Sequence, residues 1–328
     1  MSNQFSLWLD FIERDYLKNE FQKLLDEGVV TGATSNPSIF ASAITNSPAY
    51  KEQLKELEGK SAKEKYEALA IEDIKMCAKL LRPLYDRNQD GYISIEVDPS
   101  LSNDAKGTIK EAKRLFKAIG EPNVMIKVPA TQAGYEAMTA LMADGISVNA
   151  TLIFSPKQAK QCFSAMTKGI AKGEIDGSCK VEGVISVFVS RFDRLLDSEL
   201  ESCGITPSKT GIYNSAKIYN MIERNDIPNI RTLFASTSVK GNTLPSDYYV
   251  TELIAPHSIN TTPLNTIRAY LDTNSNKEVL PIEESILNGY FINLEDNGFS
   301  MEQIYKELLD NGLKAFEESF NDMLDKLK

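Results

Sequence analysis

Between Pro122 and Pro129 the chain runs Val124-Met125-Ile126-Lys127-Val128, four apolar residues around a single lysine. A short apolar run bracketed by prolines reads as a strand buried on both faces, as in a parallel sheet. Such a strand demands helices on both of its sides or a closed barrel, which leaves few architectures. It also leaves Lys127 in trouble. An unpaired ammonium taken out of water costs roughly several kcal/mol unless it loses its proton or finds a partner. The bland reading is a lysine that snorkels from a strand end to solvent, or an edge strand.

The rest of the chain sets the context. Its 328 residues, 42% hydrophobic and 25% charged, can bury a large core, read here as one domain over residues 1–328. No apolar run is long enough to span a membrane, and the start, MSNQFSLWLDF, lacks the plan of a signal peptide. Cys77, Cys162, Cys179 and Cys203 are scattered without a CxxC pair, which reads as reduced thiols in a cytoplasmic protein. A net charge of −10 argues against nucleic acid, so an anionic substrate must be met by a local cluster of cations. The one histidine, His257, sits in a loop-like Ala-Pro-His-Ser stretch and is taken as incidental.

Strand and helix patterns alternate along the chain. A first strand ends at Asp10, a helix covers about 12–27, and a second strand runs into Asn36-Pro37. A long insertion follows, with a capping box at Ser61 and Glu64 opening a helix. Strands then end at Glu96, at Val128, at Thr151, at Val189 before Ser190-Arg191, and at Ser236, with helices over about 102–119, 132–142 and 208–224. Ser155-Pro156 opens a further helix. An eighth strand is placed at residues 248–254, and the tail from Met301 is an amphipathic helix that covers the flank or mouth of the fold.

One stretch imitates a metal site. Asp86-Arg87-Asn88-Gln89-Asp90-Gly91-Tyr92-Ile93 matches the first eight positions of an EF-hand loop. The twelfth position, where a bidentate Glu is needed, holds Val97, and the sequence alternates into a strand that ends at Glu96, so calcium binding is rejected.

Eight such alternations point to a (β/α)8 barrel; no GxGxxG follows the first strand, which counts against the runner-up, a doubly wound sheet with a second domain. Barrel enzymes gather their chemistry at the C-terminal ends of the strands. Those ends carry Asp10, Asn36, Glu96, Lys127, Asn149, Thr151, Ser186, Arg191 and Ser236, with Lys240 beyond. Each alone is filler or a helix cap; together they make a site. Asn149-Ala150-Thr151 and Asn260-Thr261-Thr262 also match glycosylation sequons, irrelevant without secretion.

Two motifs carry a resemblance. Thr31-Gly-Ala-Thr-Ser-Asn36-Pro37 resembles the first signature of the transaldolase family, and Ile126-Lys127-Val-Pro-Ala-Thr131 with Gly134 resembles the second, which holds the Schiff-base lysine. The likeness extends over nearly the whole chain. It implies that Lys127, Glu96, Asp10 and Thr151 are catalytic, and that Asn36, Asn149, Ser186, Phe188, Arg191, Ser236 and Lys240 bind substrate, with Ser186, Arg191 and Lys240 at the phosphate. Two departures stand out. Thr31-Gly32 replaces an Asp-Gly or Asp-Ala of many members, and Lys240 stands roughly where many carry a phosphate-binding arginine.

The implied reaction moves a dihydroxyacetone unit from sedoheptulose 7-phosphate or fructose 6-phosphate to an aldose phosphate, and needs neither metal nor organic cofactor. Lysine attacks a ketone as the neutral amine, a form favoured by desolvation and by cations such as Arg191 and Lys240 across the mouth. Two alternatives remain: cleavage without transfer, as in the shorter fructose 6-phosphate aldolases, and a non-catalytic sugar-phosphate-binding barrel. The aldolase branch carries Tyr on strand six and Gln on strand three, where this chain has Phe188 and Glu96. The expected partners are sugar phosphates, with no nucleic acid or membrane; a homodimer is left open.

Overall fold

The computed structural model describes residues 5–173, 181–241, 243–273 and 275–328. Cys179 and the first four residues, on which the thiol and leader readings partly rest, lie outside them. Eight parallel strands, β1 (Ser6–Leu9), β2 (Gly32–Thr34), β3 (Ile93–Glu96), β4 (Val124–Pro129), β5 (Val148–Ile153), β6 (Gly183–Phe188), β7 (Ile230–Ala235) and β8 (Ser258–Thr262), pair in sequence order. β1 also pairs with β8, with Leu7 opposite Asn260, and so closes the barrel. That closure excludes the open doubly wound sheet. All eight strands are buried along their whole length, as strands walled by helices must be.

The eighth strand is not where the apolar pattern put it. Residues 248–251 turn as a short helix, and the barrel closes instead with Ser258-Ile-Asn-Thr-Thr262. One aliphatic residue in five gives no hydrophobic signal. Neighbouring strand ends receive part of its polar surface: Thr237 Oγ1 donates to Asn260 Oδ1 at 2.8 Å, and the Thr34 and Thr261 hydroxyls meet at 2.6 Å, while Asn260 Nδ2 and Thr262 Oγ1 are buried without a partner among the described residues. The second strand also shrinks to three residues, because Asn36 already caps the next helix, Pro37–Asn46, by accepting the Ile39 N–H at 3.1 Å. The helix expected over 102–119 begins at Ala105, capped by Asp104.

The calcium-like turn serves the barrel floor. Asp90 Oδ2 accepts from Trp8 Nε1 at 2.8 Å and Thr31 Oγ1 at 3.0 Å, while Oδ1 accepts from Arg231 Nη2 at 2.7 Å. Glu182 approaches the same guanidinium at 3.6 Å. A Cβ on Gly32 would stand 2.5 Å from the Trp8 indole, so the Thr31-Gly32 departure is explained locally: Thr31 reaches a carboxylate supplied by Asp90, and Gly32 makes room for the ring above it. His257 lies at this end too, its Nδ1 3.1 Å from Glu223.

The helix Met301–Lys326 crosses from the flank to the mouth. Tyr305 bonds Asn214 at 3.0 Å, Phe316 meets the Phe188 ring, and Phe320 packs edge-on against Tyr66 at 5.4 Å.

Candidate active site

At the C-terminal end of the barrel lies a cavity of about 510 Å³, a volume suited to a small phosphorylated sugar. Of the eleven residues singled out above, ten line it: Asp10, Asn36, Lys127, Asn149, Thr151, Ser186, Phe188, Arg191, Ser236 and Lys240. Glu96 does not. It sits behind Lys127, where it borders a separate void of about 10 Å³ with Tyr66, Asp98 and Glu111, room for roughly one water.

Strand register sets this arrangement. Glu96 lies opposite Lys127, and Lys127 opposite Asn149, so three neighbouring strands present one row. Asn149 and Thr151, two residues apart, face the same side. Beyond them β5 carries an extra residue relative to β6, between Ala150 and Ile153, with Leu152 at φ +58°. That bulge ends the regular ladder at the rim of the site.

Lys127 is 6% exposed. Its Nζ donates to the Ser35 carbonyl at 3.1 Å and lies 3.8 Å from Glu96 Oε2. The sequence places cations about this amine; the ion partner that the structure gives it is an acid. Burial pushes the Glu96 carboxyl up to about 7, with the Lys127 charge opposing and Asp10 adding to the rise. Burial also raises Asp10, against the pull of Lys127 and of the Thr34 hydroxyl, which donates to Asp10 Oδ1 at 2.7 Å. Among the described residues, Glu96 Oε2 and Thr151 Oγ1 are buried without a hydrogen-bond partner.

Side-chain ladders hold the polar floor. Ser186 Oγ donates to Asn149 Oδ1 at 2.6 Å, and Asn149 Nδ2 donates to Ser94 Oγ at 3.0 Å. Ser186, expected at the phosphate, is therefore engaged in orienting Asn149. Asn36 spends its carbonyl oxygen on the helix cap and on Ser38, while its amide nitrogen has no partner among the described residues. Asn149 and Asn260 are fully buried, so neither sequon can accept a glycan in the folded chain.

The outer wall is cationic. Arg191 stands in the first turn of the helix Ser190–Ser202, at the positive end of its dipole, with Arg194 one turn on and Lys240 opposite. Arg191 pairs with no acid among the described residues, and its Nε is buried without a partner. Burial, then the nearby Arg194, lower its affinity for a proton. A guanidinium stays charged at any ordinary pH, so this corner is built to receive an anion. Ser236, at φ +55°, brings its hydroxyl to 3.0 Å from that of Ser190.

Sequence reasoning missed Thr34, Arg194 and Phe316. Thr34 and Arg194 lie within a few residues of named positions, and the strand-end rule would reach both. Phe316 comes from the terminal helix, and nothing local marks it as a wall of the site. Among the described residues no cluster of three metal-ligating side chains occurs, and no helix is long and apolar enough to cross a membrane.

Comparison with known proteins agrees over the full length. The profile of the Transaldolase/Fructose-6-phosphate aldolase family matches residues 7–327. A transaldolase of Campylobacter jejuni subsp. jejuni is 45% identical over 334 residues, covering 98% of this chain and 99% of its own. A transaldolase of Helicobacter pylori strain P12 is 44% identical over 322 residues, covering 98% of each. With the family profile and these relatives both spanning the barrel from β1 to the terminal helix, the chain belongs to the transaldolase/fructose-6-phosphate aldolase family and is a transferase.

Proposed function

We propose that the protein transfers a dihydroxyacetone unit from sedoheptulose 7-phosphate or fructose 6-phosphate to glyceraldehyde 3-phosphate or erythrose 4-phosphate through a Schiff base on Lys127. The carrying observation is the buried amine on the cavity wall, 3.8 Å from a carboxyl held near neutrality. An amine must shed a proton before it attacks a ketone, and a carboxyl whose proton affinity is raised by burial is a store for it. The amine then adds to the C2 carbonyl. Glu96, acting through a water held with Thr151, returns a proton to the carbinolamine hydroxyl, and water leaves. Their partnerless oxygens support this pairing.

The resulting iminium draws electrons from the C3–C4 bond. Asp10, oriented by Thr34, takes the proton of the C4 hydroxyl as that bond breaks. The phosphorylated aldehyde departs, and the three-carbon enamine remains with Asn36 and Asn149 at its hydroxyls. An incoming aldose phosphate is attacked by the enamine carbon, and the steps run in reverse. Arg191, Lys240, Ser236 and Arg194 supply the phosphate corner. The scheme uses neither metal nor organic cofactor. We place it in the non-oxidative pentose phosphate pathway, in the cytoplasm.

Borohydride reduction in the presence of fructose 6-phosphate should fix a three-carbon adduct on Lys127, seen as a mass increase on its peptide. No adduct on that lysine would overturn the mechanism, and with it the choice of an enzyme over a passive sugar-phosphate barrel. Phe188 favours transfer over simple cleavage: its ring lines the cavity, against Phe154 at 5.4 Å, where a phenol could position a water. Fructose 6-phosphate alone should give little free dihydroxyacetone, erythrose 4-phosphate should switch on rapid turnover, and Phe188→Tyr should shift the balance towards cleavage.

A further inference from the structure

Phe188 is half of an aromatic pair at the cavity mouth. Its partner, Phe316, belongs to the terminal helix and lines the same cavity, with ring centroids 6.3 Å apart at 56°. The two rings differ in setting. Phe188 is buried on a strand and braced by Phe154, whereas Phe316 is only partly buried, at the rim between cavity and solvent.

The helix that carries Phe316 is held on both sides of it. On one side the Tyr305 hydroxyl donates to Asn214 at 3.0 Å, and Gly312 lets the backbone come so near that a Cβ would stand 3.0 Å from Leu152 and 3.4 Å from Phe154. On the other, Phe320 sits against Tyr66 and the Leu327 carbonyl accepts from Lys65 Nζ at 2.8 Å. The helix therefore cannot lift its Phe316 away from the mouth without unseating those contacts, and the ring itself rests against Phe188.

The chemistry of the bound fragment says what such a ring can do. Between donor and acceptor, the enamine waits on the lysine with a nucleophilic carbon. Should water reach it, that carbon takes a proton, water adds to C2 of the iminium so formed, and the C2–N bond breaks. Overall, one water is consumed, and dihydroxyacetone and the free lysine are released. No oxidant or further reagent is needed. An apolar ring at the rim slows this loss by excluding water while the acceptor is awaited.

We propose that Phe316 is a specificity-determining residue of this site: it keeps water from the lysine-bound enamine and so sets the ratio of transfer to hydrolytic release. The inference rests on the Schiff-base reading given above. Its test uses the full chain with fructose 6-phosphate, with and without erythrose 4-phosphate. Free dihydroxyacetone is measured by enzymatic reduction, and the adduct by borohydride trapping and mass spectrometry. Phe316→Ala should raise release without acceptor by about tenfold or more while KM for fructose 6-phosphate moves less than about twofold, and Phe316→Leu should restore most of the parent ratio. A ring that only fills space would lower Tm and leave the ratio of release to transfer unchanged. That result, with the adduct still trapped on Lys127, overturns the proposal alone. Absence of the adduct in the parent protein removes the lysine reading and this inference with it.

Discussion

Lys127 is tolerated in the barrel interior because its charge has somewhere to go: a backbone carbonyl at 3.1 Å and a carboxyl at 3.8 Å. Lys127→Ala should still fold, since Glu96, with its raised proton affinity, can become neutral rather than stand as a lone buried charge. Activity should fall by about three orders of magnitude or more, because among the described residues no other amine lines the floor of the cavity; a variant keeping more than about a few per cent of turnover would remove the assignment. Glu96 also makes a pH prediction. Burial pushes its carboxyl up to about 7 in the folded chain, above the 4.5 of a free glutamate, so the folded state holds the proton more tightly than the unfolded chain. Its contribution to stability is therefore complete below about 4.5 and is lost as the pH rises through about 7. Glu96→Gln, which cannot ionise, should gain in Tm relative to the parent across that window, while formation of the trapped adduct slows. Parallel Tm curves for the two proteins would show that the carboxyl does not titrate there.

At the scale of elements, the proposed phosphate corner depends on one strand–helix junction. β6 ends at Phe188, and the helix begins at Ser190, with Val189 as an N-cap lacking any side-chain hydrogen bond. The Ser190 and Phe192 N–H groups are already bonded, to the Ser236 and Val189 carbonyls, so an anion here is met chiefly by the Arg191 guanidinium in the first turn. Because that contact is made in ground and transition states alike, Arg191→Ala should raise KM for phosphorylated substrates with kcat little changed. A lowered kcat at constant KM would place Arg191 elsewhere in the reaction. The opposite end of the barrel offers a packing test. Trp8 is fixed by its bond to Asp90 and cannot yield to a Cβ on Gly32. Gly32→Ala should cost about 1–3 kcal/mol or more in chemical denaturation, the usual penalty of overpacking. An unchanged midpoint would mean that the indole moves freely.

For the molecule as a whole, the barrel is a tube with the candidate site at one end and an ionic plug at the other. Asp90, Arg231 and Glu182 close the floor, with Arg231 4% exposed. Their pairing across β7 and the turn before β3 ties together elements far apart in the chain. Asp90→Ala strands a buried guanidinium with only the more distant Glu182, and should cost about 3–5 kcal/mol. Adding Arg231→Met to that variant removes the stranded cation and should recover part of the loss, while Glu182, Trp8 Nε1 and Thr31 Oγ1, left without their partners, keep the remainder. A double variant no more stable than Asp90→Ala would show that the plug is needed for more than charge balance.

Legible in the chain were the alternation of strand and helix, the capping box at Ser61, the lysine in an apolar strand, and the family motifs around Asn36 and Lys127. These are local signals: each depends on side-chain period, cap chemistry or neighbouring residues, and all are legible within some ten positions. The candidate site was legible for the same reason, because barrel strands deliver their last residues to one face. The rest came from long-range packing. It made a strand of Ser258–Thr262, whose backbone closes the ladder between β7 and β1 although its side chains carry no apolar signal, and a helix of the more apolar residues 248–251. It turned the calcium-like Asp90 into the partner of Arg231, 141 positions away. It set Glu96 behind Lys127 rather than in the open cavity, and brought Phe316 from the last helix to the mouth. Partners so distant in the chain leave no periodic trace, and only closure of the barrel brings them together.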